Sequence, residues 1–248
     1  MIEDTDATGG RVWLIAHADS PYAVALIGHI LMQEGFVVAL SDQPERLQAR
    51  FPAFDHALVC LGGKITDAAA VEAAVQTTLS CFGQIDVLLN TVGCGPKGAV
   101  ETLSDAEARQ MFEVNLFGLL NLTRNVLPHM RSRAEGHVIN VAFLPEQGDW
   151  GIGRATRRAI DGLLDSLSRD LTPQGVHVTL LTAGITVGAG TDWQAVTEAT
   201  CRLVEEAHPP LRLVLGRKAY ESALSCLETV QAEMRNWAPV SLSADRAA

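Results

Sequence analysis

At 248 residues, with 48% hydrophobic and 19% charged positions, the chain suits one large α/β domain with a buried core and excludes a disordered polymer. A formal net charge of −10 excludes a nucleic-acid surface, which needs an excess of lysine and arginine to meet phosphates. Five scattered cysteines make neither a disulfide framework nor a metal-ligand pair, and no run is apolar enough for a secretory signal or a membrane span, so the expectation is a cytoplasmic protein without a metal.

In chain order, VWLIA (12–16) predicts a buried strand and AVALIGHILMQEG (23–35) a helix closed by Gly35. FVVAL (36–40) and HALVCL (56–61) predict the second and third strands. DAAAVEAAVQTTLSCFG follows as a helix with Asp67 as its N-cap. IDVLLNTVG reads as a strand and its exit loop. The run SDAEARQMFEVNLFGLLNLTRNVLPHMRSR predicts a long helical stretch, opened by a capping box of Ser104 and Glu107. GHVINVAF is a fifth strand, ATRRAIDGLLDSLSRDL a helix and HVTLLTAG a sixth strand. Helices around one short strand, LRLVL, complete the chain.

Strands that are apolar throughout and alternate with helices predict a single Rossmann-like, doubly wound parallel sheet covered on both faces, with ligands outside the strands' C-terminal ends. Residues 1–10 are expected as a disordered or loosely ordered N-terminus, 11–237 as the domain and 238–248 as a tail.

IDVLLNTVG, MFEVNLFGLLNLTRNVLPHM, GHVINVAF and RRAIDGLLDSLSRDL together resemble the short-chain dehydrogenase/reductase family, and the ending HPPLRLVLG…W resembles one large branch of it. The resemblance spans about residues 11–237. It implies the fold above and a cleft in which a tyrosine, a lysine and a serine move a proton while a nicotinamide dinucleotide exchanges a hydride. This chain departs from the pattern at each of those positions.

The family's phosphate turn carries three glycines, whereas AHADSPYAVAL has none before Gly28. His17, Pro21 or Tyr22, and Ala23 or Val24 take their places. A Cβ at a position needing positive φ, or against a phosphate, blocks the usual pose. Asp19 adds negative charge there, and Tyr22 is a side chain large enough to fill part of the vacated space. Asp42 follows the second strand where the family places a carboxylate on the adenosine ribose, and Lys64 stands where it usually has an aspartate near the adenine. The two are expected either to pair across an empty adenine pocket or to be solvated surface charges. Asn90 and Gly93 survive from the family's Asn-Asn-Ala-Gly loop. Asn115 matches the helix asparagine that holds a water in the family, or that merely bends the helix.

Between Arg133 and Asp165 there is no serine, tyrosine or lysine. The resemblance puts Arg157 at the lysine position, Gly153 at the tyrosine and Phe143 at the serine. The connection after the sixth strand is also short, which implies an open cleft. The expectation is therefore loss of ordinary nicotinamide-linked redox activity, no cofactor, and a repurposed cleft for a small molecule. Its walls are Thr91, Cys94, Phe143, Trp150, Gly153 and Trp193. Arg157 would hold an anionic oxygen, and Glu146, Asp149 and Asn115 would supply acid–base or water-holding groups for isomerisation, cyclisation or elimination. The bland alternative is that Glu146, Asp149 and Arg157 are solvated charges. Two further readings stand beside this one, a non-catalytic pseudo-enzyme subunit or scaffold and a residual NAD(P)-dependent oxidoreductase with an unfamiliar proton donor. On any of them the resemblance implies a homodimer or heterodimer through helices 106–131 and 155–171, with no nucleic acid and no membrane as partner.

Overall fold

Strand residues such as Leu14, Val38, Leu88 and Val138 point to one face of a sheet while their neighbours Ile15, Ala39, Leu89 and Ile139 point to the other, and both sets are buried. A sheet apolar on both faces must be covered on both. A computed structural model describes residues 10–92, 100–145, 151–185 and 192–244. In chain order it contains β1 (Val12–Ala16), α1 (Pro21–Met32), β2 (Phe36–Ser41), α2 (Pro44–Gln48), β3 (Leu58–Gly62), α3 (Ala68–Phe82) and β4 (Val87–Val92). There follow α4 (Asp105–Phe112), α5 (Gly118–Arg133), β5 (Gly136–Pro145), α6 (Gly151–Leu171), β6 (Val176–Ile185), α7 (Trp193–Glu205), β7 (Arg212–Leu215), α8 (Arg217–Asn236) and α9 (Ala238–Leu242).

The seven described strands form one parallel sheet in the order β3-β2-β1-β4-β5-β6-β7. The order reverses between β1 and β4, which opens a crevice at the C-terminal ends of those strands, the usual ligand position in such sheets. One face is covered by α1 and α7, through Tyr22, Leu26, Ile27, Val196 and Leu203. The other is covered by α3, α5 and α6, through Val71, Val75, Leu122, Val126, Ile160 and Leu164. Each such side chain contributes roughly 1.5–3 kcal/mol by leaving water.

Local signals set the element ends. Asp67 caps α3 by accepting from Ala69 N and Ala70 N, and Ser104 and Glu107 close the capping box of α4. α4 and α5 run as one long helix interrupted at Glu113–Phe117 by a π-turn. Asn115 is buried in that turn. At Gly118 a Cβ would stand 2.5 Å from Ile65 Cδ1, so this contact requires glycine. α6 begins at Gly151, four residues before the helix expected from ATRRAIDG. The expected tail contains a helix, α9; residues 1–9 and 245–248 lie outside the described residues. Among the described residues, no helix is long and apolar enough to cross a membrane.

Candidate functional site

The described part of the crevice comprises the β1–α1 turn, the ends of β4 and β5, and the first turns of α6. At the β1–α1 turn, His17 adopts φ 53°, the left-handed conformation that a phosphate turn usually gives to glycine. A side chain there costs roughly 1 kcal/mol. Ser20 then caps α1 by accepting from Ala23 N, and Pro21 occupies the first turn, where its missing N–H removes one donor. Asp19 reaches the neighbouring strand: its Oδ1 accepts from Ser41 Oγ at 2.6 Å and its Oδ2 from Asp42 N at 2.7 Å. Asp42 and Lys64 are both exposed, and no ion pair joins them among the described residues. They are the solvated surface charges of the two alternatives, because Lys64 extends into water and the end of β2 is tied to Asp19.

Behind this turn three aromatic rings meet. Tyr22 is fully buried, with its ring 5.5 Å from Phe143 and 6.2 Å from Trp193, and Phe143 lies 5.6 Å edge-on to Trp193. Such edge-to-face pairs add to burial. Thr200 gives its hydroxyl proton to Val196 O, so Tyr22 donates its own to Thr200 Oγ1 at 2.9 Å. Burial pushes the Tyr22 phenol well above its ordinary value, Thr200 offsetting part of the shift. A phenol held protonated in this way is a structural donor.

On β4, Thr91 Oγ1 lies 3.4 Å from His17 O, and Asn90 Nδ2 donates to Asn140 Oδ1 across the β4–β5 register at 2.8 Å. Asn90 therefore ties two strands together. At the start of α6, Arg157 is half-buried and its Nη2 donates to Phe143 O at 3.2 Å, which fixes a cation at the C-terminal end of β5. Gly153 lies one turn earlier, its carbonyl accepting from Thr156 Oγ1. Asn115 is buried in the π-turn. The structure thus gathers Tyr22, Phe143 and Trp193 in one cluster and attaches Arg157 to it through the Phe143 backbone. Gly93, Cys94, Glu146, Asp149 and Trp150 lie outside the described residues.

Sequence reasoning missed a groove beside the same turn. It has a volume of about 530 Å³ and is lined by Asp19, Pro21, Gln43, Arg46 and Arg50 with apolar residues of α1 and α2. The signal was present in QPERLQAR, where two arginines stand four residues apart just after the second strand.

The model of the short chain dehydrogenase family matches residues 25–199. Oxidoreductase BOA17 of Botryotinia fuckeliana is 24% identical, over 94% of this chain and 98% of its own length. A 3-ketodihydrosphingosine reductase of Bacteroides thetaiotaomicron is 30% identical over 55% of this chain, which spans about half (52%) of that relative. Dehydrogenase/reductase SDR family protein 7-like of Anopheles gambiae is 31% identical over 71% of this chain and 59% of its own. Among solved structures, a short-chain dehydrogenase from Streptomyces avermitilis superposes with a TM-score of 0.89 at 24% identity, covering 97% of this chain and all (100%) of that one. A 3-ketoacyl-(acyl-carrier-protein) reductase from Brucella melitensis, complexed with NADH, superposes with a TM-score of 0.74 at 22% identity over 84% of this chain and 97% of its own.

These findings confirm the fold and correct the function. The expectation of lost redox activity and a non-redox isomerase, cyclase or lyase is overturned by relatives named as oxidoreductases and reductases, one of them matched over nearly the full chain. Three side chain types absent from one segment carry less weight than a pattern that runs through the whole sheet.

Proposed function

We propose a function from one premise: the chain belongs to the short-chain dehydrogenase family. It is a nicotinamide-dinucleotide-linked oxidoreductase that reduces a carbonyl or oxidises the corresponding alcohol at the C-terminal ends of β1, β4 and β5. The observation that carries this reading is the agreement of the family match with relatives named as oxidoreductases or reductases.

The residues present fit a dinucleotide with an altered cradle. The β1–α1 turn keeps the left-handed conformation at His17, and the Asp19 carboxylate is engaged by Ser41 and Asp42. Pro21 gives up an amide donor, and the nearby groove supplies Arg46 and Arg50, whose guanidinium groups suit phosphate oxygens. The bound dinucleotide would supply or accept a hydride. Every other task falls to this chain. Arg157, fixed on the Phe143 carbonyl, would hold the substrate oxygen and stabilise the negative charge that develops there. Phe143 and Trp193 would give the site an apolar wall, and Asn115 in the π-turn would hold a water, as the family resemblance implies. With Gly153 at the tyrosine position and Tyr22 buried and protonated, the proton for the substrate oxygen would arrive through water rather than from a phenol.

The experiment is turnover of NADH and NADPH with a panel of ketones and β-keto compounds. Substrate-dependent loss of reduced nicotinamide is expected, and Arg157→Ala should lower kcat by roughly a hundredfold with little change in fold. Absence of turnover with every carbonyl class, in a folded protein, would count against the reading.

A further inference from the structure

α8 leaves the body of the protein. It touches it through one side only, with Ala219 buried and Ala223 and Cys226 half-buried, and Cys226 Sγ lies 3.7 Å from Arg158 Nη2 on α6. From Leu227 to Ala244 every residue except Ala238 is exposed. The helix nevertheless carries an apolar stripe, Tyr220, Leu224, Leu227, Val230 and Met234, whose members are between 41% and 69% exposed. Single exposed apolar residues need no explanation, but a continuous stripe on a projecting helix does.

The stripe is symmetric. Counting from Leu227, its members stand seven and three residues before and three and seven residues after. Two copies laid antiparallel with Leu227 on the twofold axis would therefore match Tyr220 with Met234 and Leu224 with Val230, an isologous contact. The flanking charges obey the same symmetry. Glu221 and Arg235 are fourteen residues apart, close to four whole turns, and so lie on one flank of the stripe. In the antiparallel pair each Glu221 comes within about 3 Å, measured along the axis, of the partner's Arg235. Neither residue forms an ion pair within the chain among the described residues. The antiparallel arrangement also sets Arg217, a cation at the unfavourable end of its own helix dipole, beside the C-terminal end of the other helix.

We infer that α8 is a self-association surface: it pairs antiparallel with α8 of a second copy of this chain, with the twofold axis at Leu227. A membrane surface fits less well. α8 carries three basic residues (Arg217, Lys218, Arg235) against three acidic ones (Glu221, Glu228, Glu233), with no cationic excess to meet anionic lipid. The stripe is distinct from the helices 106–131 and 155–171, through which the family resemblance implies a dimer.

The test compares the mass of the full-length protein by sedimentation with that of Leu227→Glu. The side chain is exposed, so the substitution does not threaten folding, and on the axis each added charge faces its own copy. The variant should lose one twofold step of association, with a dissociation constant raised roughly thirtyfold or more. In a Cys81→Ser/Cys226→Ser background, Leu227→Cys should form an interchain disulfide under mild oxidation, while Thr229→Cys, on the far side of the helix, should not. A monomeric wild-type protein, an unchanged mass for Leu227→Glu, or equal crosslinking at 227 and 229 would each overturn the pairing. So would binding to phosphatidylcholine–phosphatidylglycerol vesicles without any self-association.

Discussion

β5 begins at Gly136 and His137 and ends near Phe143, and the two ends treat polar groups in opposite ways. Around the beginning, polar groups are paired within the chain. His137 Nε2 meets Thr179 Oγ1 at 2.9 Å, Thr179 donates onward to Pro210 O, and the neighbouring Asp86 accepts from Val12 N and pairs with Arg133 at 2.8 Å. Because Thr179 uses its proton on Pro210, His137 Nε2 must be the donor, and burial keeps the ring neutral. Around the end of β5, aromatic rings replace the polar groups, and one guanidinium is attached to the Phe143 carbonyl. The beginning of the strand has the economy of a stabilising edge. The end has an apolar wall, a fixed cation and a crevice, the ingredients of a site. Opposite ends of the same strands serve these different purposes because only the C-terminal ends open at the reversal of strand order.

The largest expected effect of separating these roles is at Asp86. Asp86→Ala leaves the Val12 amide and the Arg133 guanidinium without their shared acceptor and should lower unfolding free energy by about 3 kcal/mol, read as a fall in the denaturant midpoint. Next is a pH effect at the same edge. Burial, with smaller contributions from His177 and Arg11, lowers the His137 pKa from 6.5 to about 3. The folded state therefore binds this proton less readily than the unfolded chain. The stability His137 contributes is complete above pH 6.5 and is lost as the pH falls toward 3. His177 is lowered too, chiefly by burial and then by His208, and acts in the same direction. Stability measured across that window should fall with acid, and His137→Gln should flatten the slope. The smallest effect lies at the other end of the sheet. Tyr22→Phe removes a donor to Thr200, whose own proton still reaches Val196 O, and should cost about 1 kcal/mol in thermal or chemical unfolding. A loss as large as that of Asp86→Ala would show that the aromatic end also depends on its polar bonds.

Most of the fold was legible because periodicity and caps are local. VWLIA gave β1 with its bounds, and Asp67, Ser104 and Glu107 cap the helices they were expected to cap. The start of α1 was placed two residues late: the apolar period in AVALIGHILMQEG begins at Ala23, whereas the N-cap Ser20 and the first-turn Pro21 open the helix before it. The resemblance implied a bend at Asn115, but its form, a π-turn over Glu113–Phe117, is set by backbone hydrogen bonds that the side-chain pattern does not specify. The site was less legible than the fold. Arg157 could be placed by resemblance, but its bond to Phe143 O depends on how α6 meets β5. His17 keeps its side chain and still takes the left-handed conformation, since the cost of about 1 kcal/mol is small beside the packing around it. The loss of three side chain types was read as loss of the reaction. Residue identity without geometry does not fix function, and relatives named as oxidoreductases and reductases overturn that expectation.

Titration of the intact protein with NADPH and with NADH, followed by tryptophan emission and by calorimetry, probes the oxidoreductase assignment at its root. Saturable one-site binding at micromolar concentrations, weakened roughly tenfold by Arg50→Ala, is the expected result. If neither dinucleotide binds at millimolar concentration to a protein that is demonstrably folded, the assignment is contradicted.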